Sequence, residues 1–246
     1  MSKTIVITGA GKGLGRALAR RFAREGENVV LLGRTASKVE AVAEEIGAGA
    51  MALGCDVGSP DQVRAAFAAI AERHGRIDAL INNAAIFQPS LVAEASDEHI
   101  LNAIGANLTG AVLCARSAIP LLRPNGHIIN VTSESVAMPF AFLTLYKSTK
   151  AGVEQFTTSL HQELRQSGIR VTSVRAGQMY GEDMSMDAPP ELLGRFFEAN
   201  AKAGLDLMEG PLSHYDSVTQ VFRNLLDLPQ DVHVVHVGVH ARAATP

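Results

Sequence analysis

Seven short apolar runs of β type alternate along this chain with seven stretches of helical periodicity, and that alternation limits the fold more than any other feature. The runs lie near 4–8, 28–32, 50–54, 77–81, 127–132, 169–174 and 232–239; helical spacing fills 14–25, 36–47, 60–74, 97–118, 145–166, 191–203 and 214–227. Strands separated by a whole helix do not pair as hairpins. Each crossover instead returns the chain parallel to the previous strand, with a right-handed turn, and the helices cover both faces of the sheet. The expected fold class is therefore α/β, a doubly wound parallel β-sheet of about seven strands flanked by helices on both faces. At 246 residues, 47% of them hydrophobic, the chain has enough apolar surface for one such core. No Pro/Ser-rich linker or internal repeat interrupts it, so one domain over 1–246 is expected.

In such sheets ligands bind beyond the C-terminal ends of the strands. The first strand, Thr4 to Thr8, runs into Gly9-Ala-Gly-Lys-Gly13-Leu-Gly15, and Ala17, Leu18, Phe22 and Ala23 then recur at helical spacing. Strand, glycine loop and helix together cradle a pyrophosphate: glycines let backbone N–H groups approach the phosphate oxygens, and the helix N-terminus adds favourable partial charge. The G-x-G-x-x-G spacing is not met, because Leu14 stands where its third glycine would fall. The second strand ends in Gly33-Arg34-Thr35, with no carboxylate to hold a ribose 2′-OH and repel a phosphate. Arg34, with Lys12 in the glycine loop, suits a 2′-phosphate, so NADP(H) is expected in preference to NAD(H).

Tyr146 and Lys150 are four residues apart in a helical pattern, which places them on one face. A free phenol titrates near pH ~10, and a nearby ammonium lowers that value, so the pair is expected to donate and accept a proton in a carbonyl–alcohol interconversion.

Thr8-Gly9-x-x-x-Gly13-x-Gly15, Asn82-Asn83-Ala84-Ala85, Ser133, Tyr146 and Lys150, in this order, resemble the short-chain dehydrogenase/reductase family, classical type, over roughly residues 3 to 177. Ser133 precedes Tyr146 by 13 residues, as the family's pattern has it. The resemblance implies a Rossmann-like sheet of order 3-2-1-4-5-6-7. It also implies hydride transfer between a nicotinamide cofactor and a small-to-medium carbonyl or alcohol. By the same resemblance Ser133 holds the substrate oxygen and Tyr146 delivers the proton, while Lys150 tunes Tyr146 and binds the nicotinamide ribose. Asn107 would position a relay water. Cofactor contacts are expected at Gly9, Lys12, Gly13, Leu14, Gly15, Arg34, Asp56, Val57, Asn83, Ala84, Tyr146, Lys150 and Gly177, with Asp56 against the adenine. Ser135 is a rival to Ser133, and a kink in its helix is an equal reading of Asn107. Other classes consistent with the motifs are a redox sensor of the same fold without turnover, and a lyase or epimerase using transient oxidation. A homodimer or homotetramer is expected, with the helices near 97–118 and 145–166 pairing.

The family's Pro-Gly after the sixth strand is replaced by Ala176-Gly177, and a substrate lid is expected over about 178–210. Met179, Tyr180, Met184, Met186, Phe196 and Phe197, with Phe140 and Phe142, offer it apolar contacts. Its acids, Glu182, Asp183, Asp187 and Glu191, speak against a highly anionic substrate. A net charge of −3 argues against a nucleic-acid or anionic-membrane partner. Two cysteines without a Cys-x-x-Cys or His-Cys cluster give no expectation of a disulfide or metal site. No signal peptide and no apolar run of membrane-spanning length are seen, so a cytoplasmic setting is expected.

Overall fold

The computed structural model of the chain describes residues 2–184, 186 and 188–242. Its central sheet is built from β1 (Thr4–Thr8), β2 (Asn28–Gly33), β3 (Ala50–Gly54), β4 (Ile77–Asn82), β5 (Leu122–Ser133), β6 (Arg170–Ala176) and a last strand, β9 (His236–Val239). All pair in parallel, in the order β3-β2-β1-β4-β5-β6-β9, which is the expected doubly wound topology. The two-residue strands β7 (Met179–Tyr180) and β8 (Ser213–His214) form a small separate parallel pair.

The long strands are apolar because both faces are covered. Ile5 and Ile7 join a core with Leu18 and Phe22 of α1 (Gly13–Arg24) and Phe222 of α8 (Tyr215–Asp227). Val6 and Leu80 face the other way, toward Phe67 and Ile70 of α3 (Pro60–His74) and Cys114 of α5 (Gly110–Ala118). The remaining helices are α2 (Ala36–Ile46), α4 (Asp97–Ile104), α6 (Thr144–Glu163) and α7 (Pro190–Lys202). Ser59 caps α3, its hydroxyl accepting from the Gln62 amide, and Pro60 takes the first helical position.

Four departures from the sequence reading have physical causes. The strand expected at 127–132 starts at Leu122, its pairing with β4 shifting register between Ile77 and Ala79. The strand expected at 232–239 pairs only from His236; before it, the Val234 carbonyl accepts from the Thr172 hydroxyl and the Val235 carbonyl from the Ser173 amide. The helix expected at 97–118 is interrupted by a π-helical turn at Gly105–Thr109, where one backbone group per turn is displaced from the α ladder. That same segment corrects the expectation about apolar length: Asp97–Leu121 is long and apolar enough, by length and composition, to cross a membrane. Its hydropathy arises partly from core residues such as Leu113, Cys114 and Ala115, and partly from exposed Leu101, Ile104 and Val112.

A buried polar ladder holds α6 to the sheet. Asn82 donates to Asn130 (2.9 Å), Asn130 donates to Thr157 (2.9 Å), and Thr157 donates to the Val153 carbonyl (2.7 Å). Removing any member would leave buried polar groups unpaired, so the ladder holds α6, and with it Tyr146 and Lys150, in one register.

On β5, His127 is 2% exposed and its Nε2 lies 2.7 Å from the Thr172 hydroxyl, which itself donates to the Val234 carbonyl. Burial pushes the imidazole down to about 3, with Arg170 and His233 adding to it. A folded value below the ordinary 6.5 means that the native state binds fewer protons. The associated stability is complete above pH 6.5 and is lost as pH falls from there toward 3. Urea unfolding at pH 6.5 and pH 5 should therefore show the wild type losing about 1–2 kcal/mol more than His127→Gln over that interval. Equal losses would sink the assignment.

Candidate active site

The C-terminal edge of the sheet opens into a cleft of about 930 Å3. It is lined by Lys12, Gly13, Leu14, Arg34, Asn83, Ser133, Tyr146, Lys150 and Gly177, so nine of the sequence-derived site residues meet there. Gly9, Gly15, Asp56, Val57, Ala84 and Asn107 lie outside the lining and act, where they act, on its walls.

The glycine loop is shaped by contacts that exclude side chains. Gly9 and Gly13 have φ of +66° and +55°, the left-handed region. A Cβ on Gly15 would lie 2.6 Å from the Asn83 amide nitrogen and would overlap the Gly9 carbonyl. Asn83 is the clamp: its side-chain amide donates to the carbonyls of Thr8 (3.0 Å) and Gly9 (3.3 Å). The Thr8 hydroxyl in turn accepts from the backbone amides of Asn83 and Ala84, both at 3.0 Å. Leu14 and Val57 are core residues, 6% and 7% exposed. One Asp56 oxygen accepts from the Gly58 amide at 2.9 Å, a local turn at the end of β3.

Three basic residues lie around the end of β2. Lys12 occupies the cap position of α1 in extended conformation, Arg34 follows β2, and Lys38 lies in the first turn of α2, its Cβ 3.0 Å from where a Cβ on Gly11 would sit. None of the three cations has an ion-pair partner among the described residues. Lys38 escaped the sequence reading, although its place four residues beyond Arg34 could have pointed to it.

At the other end of the cleft, Tyr146 packs edge-on against Phe87 with ring centroids 5.0 Å apart. Ser133 is the hydroxyl that bears on the phenol, and its Oγ accepts from the Ser135 amide at 3.2 Å; the Ser135 hydroxyl is buried without a hydrogen-bond partner among the described residues. Lys150 is 3% exposed, and its ammonium donates to the Val131 carbonyl at 2.8 Å and lies 5.8 Å from the Tyr146 ring centroid. The electrostatics correct the expectation of an acidified phenol. Burial pushes Tyr146 up to about 12, against the opposing Ser133 hydrogen bond, and burial pushes Lys150 down to about 8. Desolvation outweighs the lysine because the ammonium is aimed at a backbone carbonyl rather than at the phenol oxygen.

Asn107 lies in the π-helical turn and is 2% exposed. Its oxygen accepts from the Ile86 amide (2.7 Å), and its amide donates to the Ile86 carbonyl (3.0 Å) and to the Thr149 hydroxyl (3.1 Å). Both amide hydrogens are thus engaged in bracing the chain after β4 against α6.

The segment after β6 is tied to the rest of the chain through distant pairs. Arg16 and Arg20 of α1 hold Glu182 at 2.9 Å each, and Arg16 holds Asp183 at 2.8 Å. Arg195 of α7 grips both oxygens of Glu94 (3.0 and 2.7 Å) and stacks on Phe142, 5.3 Å from its centroid. Asn200 exchanges hydrogen bonds with the backbone of Ala141. Two of the lid acids are therefore neutralised by α1, and the charge argument against an anionic substrate lapses; Asp187 lies outside the described residues. Phe196, 2% exposed, lines the cleft together with Phe140, Met184, Met186 and Phe197. Glu134, 9% exposed beside Ser133 and hydrogen-bonded to His240 at 3.0 Å, is a further wall residue that no local motif announced.

The family model for short chain dehydrogenases matches residues 3–192. The chain belongs to this family. Carbonyl reductase family member 4 of Danio rerio is 33% identical over 221 residues, 86% of this chain and 93% of that protein. An alcohol dehydrogenase from the archaeon Thermococcus sibiricus, solved with 5-hydroxy-NADP, superposes with TM-score 0.82 at 25% identity, covering 100% of this chain and 99% of that one. A 3-ketoacyl-(acyl-carrier-protein) reductase from Brucella melitensis, solved with NADH, gives 0.81 at 30% identity, over 97% and 96%. A short-chain dehydrogenase is an oxidoreductase acting on an alcohol or carbonyl group with a nicotinamide cofactor, and the glycine cradle and open cleft of this chain fit that group.

Proposed function

We propose that this short-chain dehydrogenase interconverts a small-to-medium, largely apolar carbonyl compound and its alcohol, with NADP(H) preferred over NAD(H). One observation carries the reading: Ser133, Tyr146 and Lys150 face the same cleft as Lys12 and Arg34, cations without an ionic partner among the described residues. When bound, the nicotinamide supplies or accepts the hydride. Arg34, Lys12 and Lys38 bind the 2′-phosphate by charge-assisted hydrogen bonds. Ser133 holds the substrate oxygen as charge develops on it, and Tyr146, protonated throughout the neutral range, delivers the proton from its phenol oxygen. Phe140, Leu143, Met184, Met186 and Phe197 exclude water from the reacting carbon and accept an apolar substituent. A dimer or tetramer through exposed Leu101, Ile104 and Val112 belongs to the same proposal.

The test is oxidation of NADPH and NADH across a panel of ketones, aldehydes, diketones and 3-oxo acids, with Arg34→Asp alongside. Arg34→Asp should raise the Kd for NADPH about 30-fold or more and change that for NADH by less than about threefold. Equal effects on the two cofactors would remove the basis for NADP(H) preference, and absence of turnover across the panel would remove the reductase reading.

A further inference from the structure

Tyr215 is the first residue of α8, yet it lies beside the glycine loop, two hundred positions away in sequence. The small β7–β8 pair brings it there: Met179 pairs with Ser213 and Tyr180 with His214, so the next residue arrives at the mouth of the cleft. Its Cζ and Oη are each 3.7 Å from where a Cβ on Gly13 would sit, at the N-terminus of the 12-residue helix α1. On its other side the ring supports the lid turn. Gly181 has φ of +156°, and a Cβ there would overlap the Tyr215 ring. The tyrosine is thus layered between the loop that cradles phosphate and the turn that begins the lid.

The hydroxyl has no hydrogen-bond partner among the described residues, and the residue lines the cleft. Its acidity is suppressed by burial, with Asp183 adding, so the O–H remains a donor at neutral pH. A half-buried phenol aimed at the first turn of α1, where backbone amides lack intrahelical partners, is matched to an anion that those amides also bind.

We infer that Tyr215 is a diphosphate-binding residue: its hydroxyl donates to the dinucleotide's diphosphate across Gly13, while its ring packs against the turn at Gly181. The inference rests on the reading that a nicotinamide dinucleotide occupies this cleft. It adds a contact contributed by the lid side, which neither the glycine loop nor the catalytic residues supply.

Isothermal titration calorimetry with NADPH, NADH and adenosine 2′-phosphate tests it without reference to turnover. Tyr215→Phe keeps the ring and its packing and removes only the donor. It should weaken NADPH and NADH alike by about tenfold or more, the loss expected for a hydrogen bond to a charged group. It should leave adenosine 2′-phosphate, which has no diphosphate, unchanged. Tyr215→His restores a ring-borne donor and should recover part of the loss, and the thermal midpoint of each variant reports on folding. Unchanged dinucleotide binding by Tyr215→Phe, or equal weakening of adenosine 2′-phosphate, would overturn the inference. A wild-type protein that binds neither dinucleotide would instead overturn the reading on which it rests.

Discussion

Tyr146→Phe is expected to lower turnover by about 10^2–10^4-fold, the range for losing a positioned general acid, while changing cofactor affinity by less than about twofold. Phenylalanine keeps the edge contact to Phe87 at 5.0 Å and the packing against Phe140, Leu143 and Phe196. What disappears is the phenol oxygen beside Ser133. Because burial holds that phenol near 12, its protonated form is available for carbonyl reduction throughout the neutral range. The wild-type rate should therefore not fall through Tyr146 titration in the neutral range. Steady-state NADPH oxidation with the best panel substrate, together with calorimetric Kd values, checks this. A variant retaining more than about a tenth of the activity would end the assignment of Tyr146 as the proton donor.

Lys150→Met is expected to lose activity to a similar extent and to change the pH dependence of stability with a definite sign. Lys150 is 3% exposed, and burial lowers it from 10.5 to about 8. The folded state thus disfavours the charged form. Its stability contribution is complete above pH 10.5 and is lost as pH falls from 10.5 through 8. At pH 7 the wild type carries a desolvated ammonium held by one carbonyl at 2.8 Å, and the methionine variant does not. Urea unfolding at pH 7.5 and pH 10 should show the wild type gaining about 2–3 kcal/mol relative to Lys150→Met over that interval. The same titration predicts that wild-type activity declines above pH 8 as the ammonium is lost. A stability difference independent of pH would show that the lysine is hydrated in the folded protein.

The two lysine effects have one origin. A charge placed in a buried wall is costly to the fold, and α6 accepts that cost because the Asn82–Asn130–Thr157 ladder fixes its position independently. Asn107 has a similar place: its side chain spends its donors on Ile86 and Thr149, so it shapes the cleft by holding the π-helical turn against α6.

Much of this was legible along the chain. Strand and helix periodicity, the glycine loop, the Tyr146–Lys150 spacing and the basic end of the second strand are local patterns. Backbone geometry turns each of them into a definite element or face within a few residues, so the parallel sheet and the nine site residues that meet in the cleft follow from the sequence alone. What only the tertiary structure decided involves groups far apart in the chain: Tyr215 against Gly13, Glu182 between Arg16 and Arg20, and His240 on Glu134. The direction of the Tyr146 shift belongs with these, since it depends on how completely the lid, the Phe140 loop and α6 exclude water from one phenol. Local spacing sets which side chains share a face; dielectric environment and long-range pairing are set by what folds over that face.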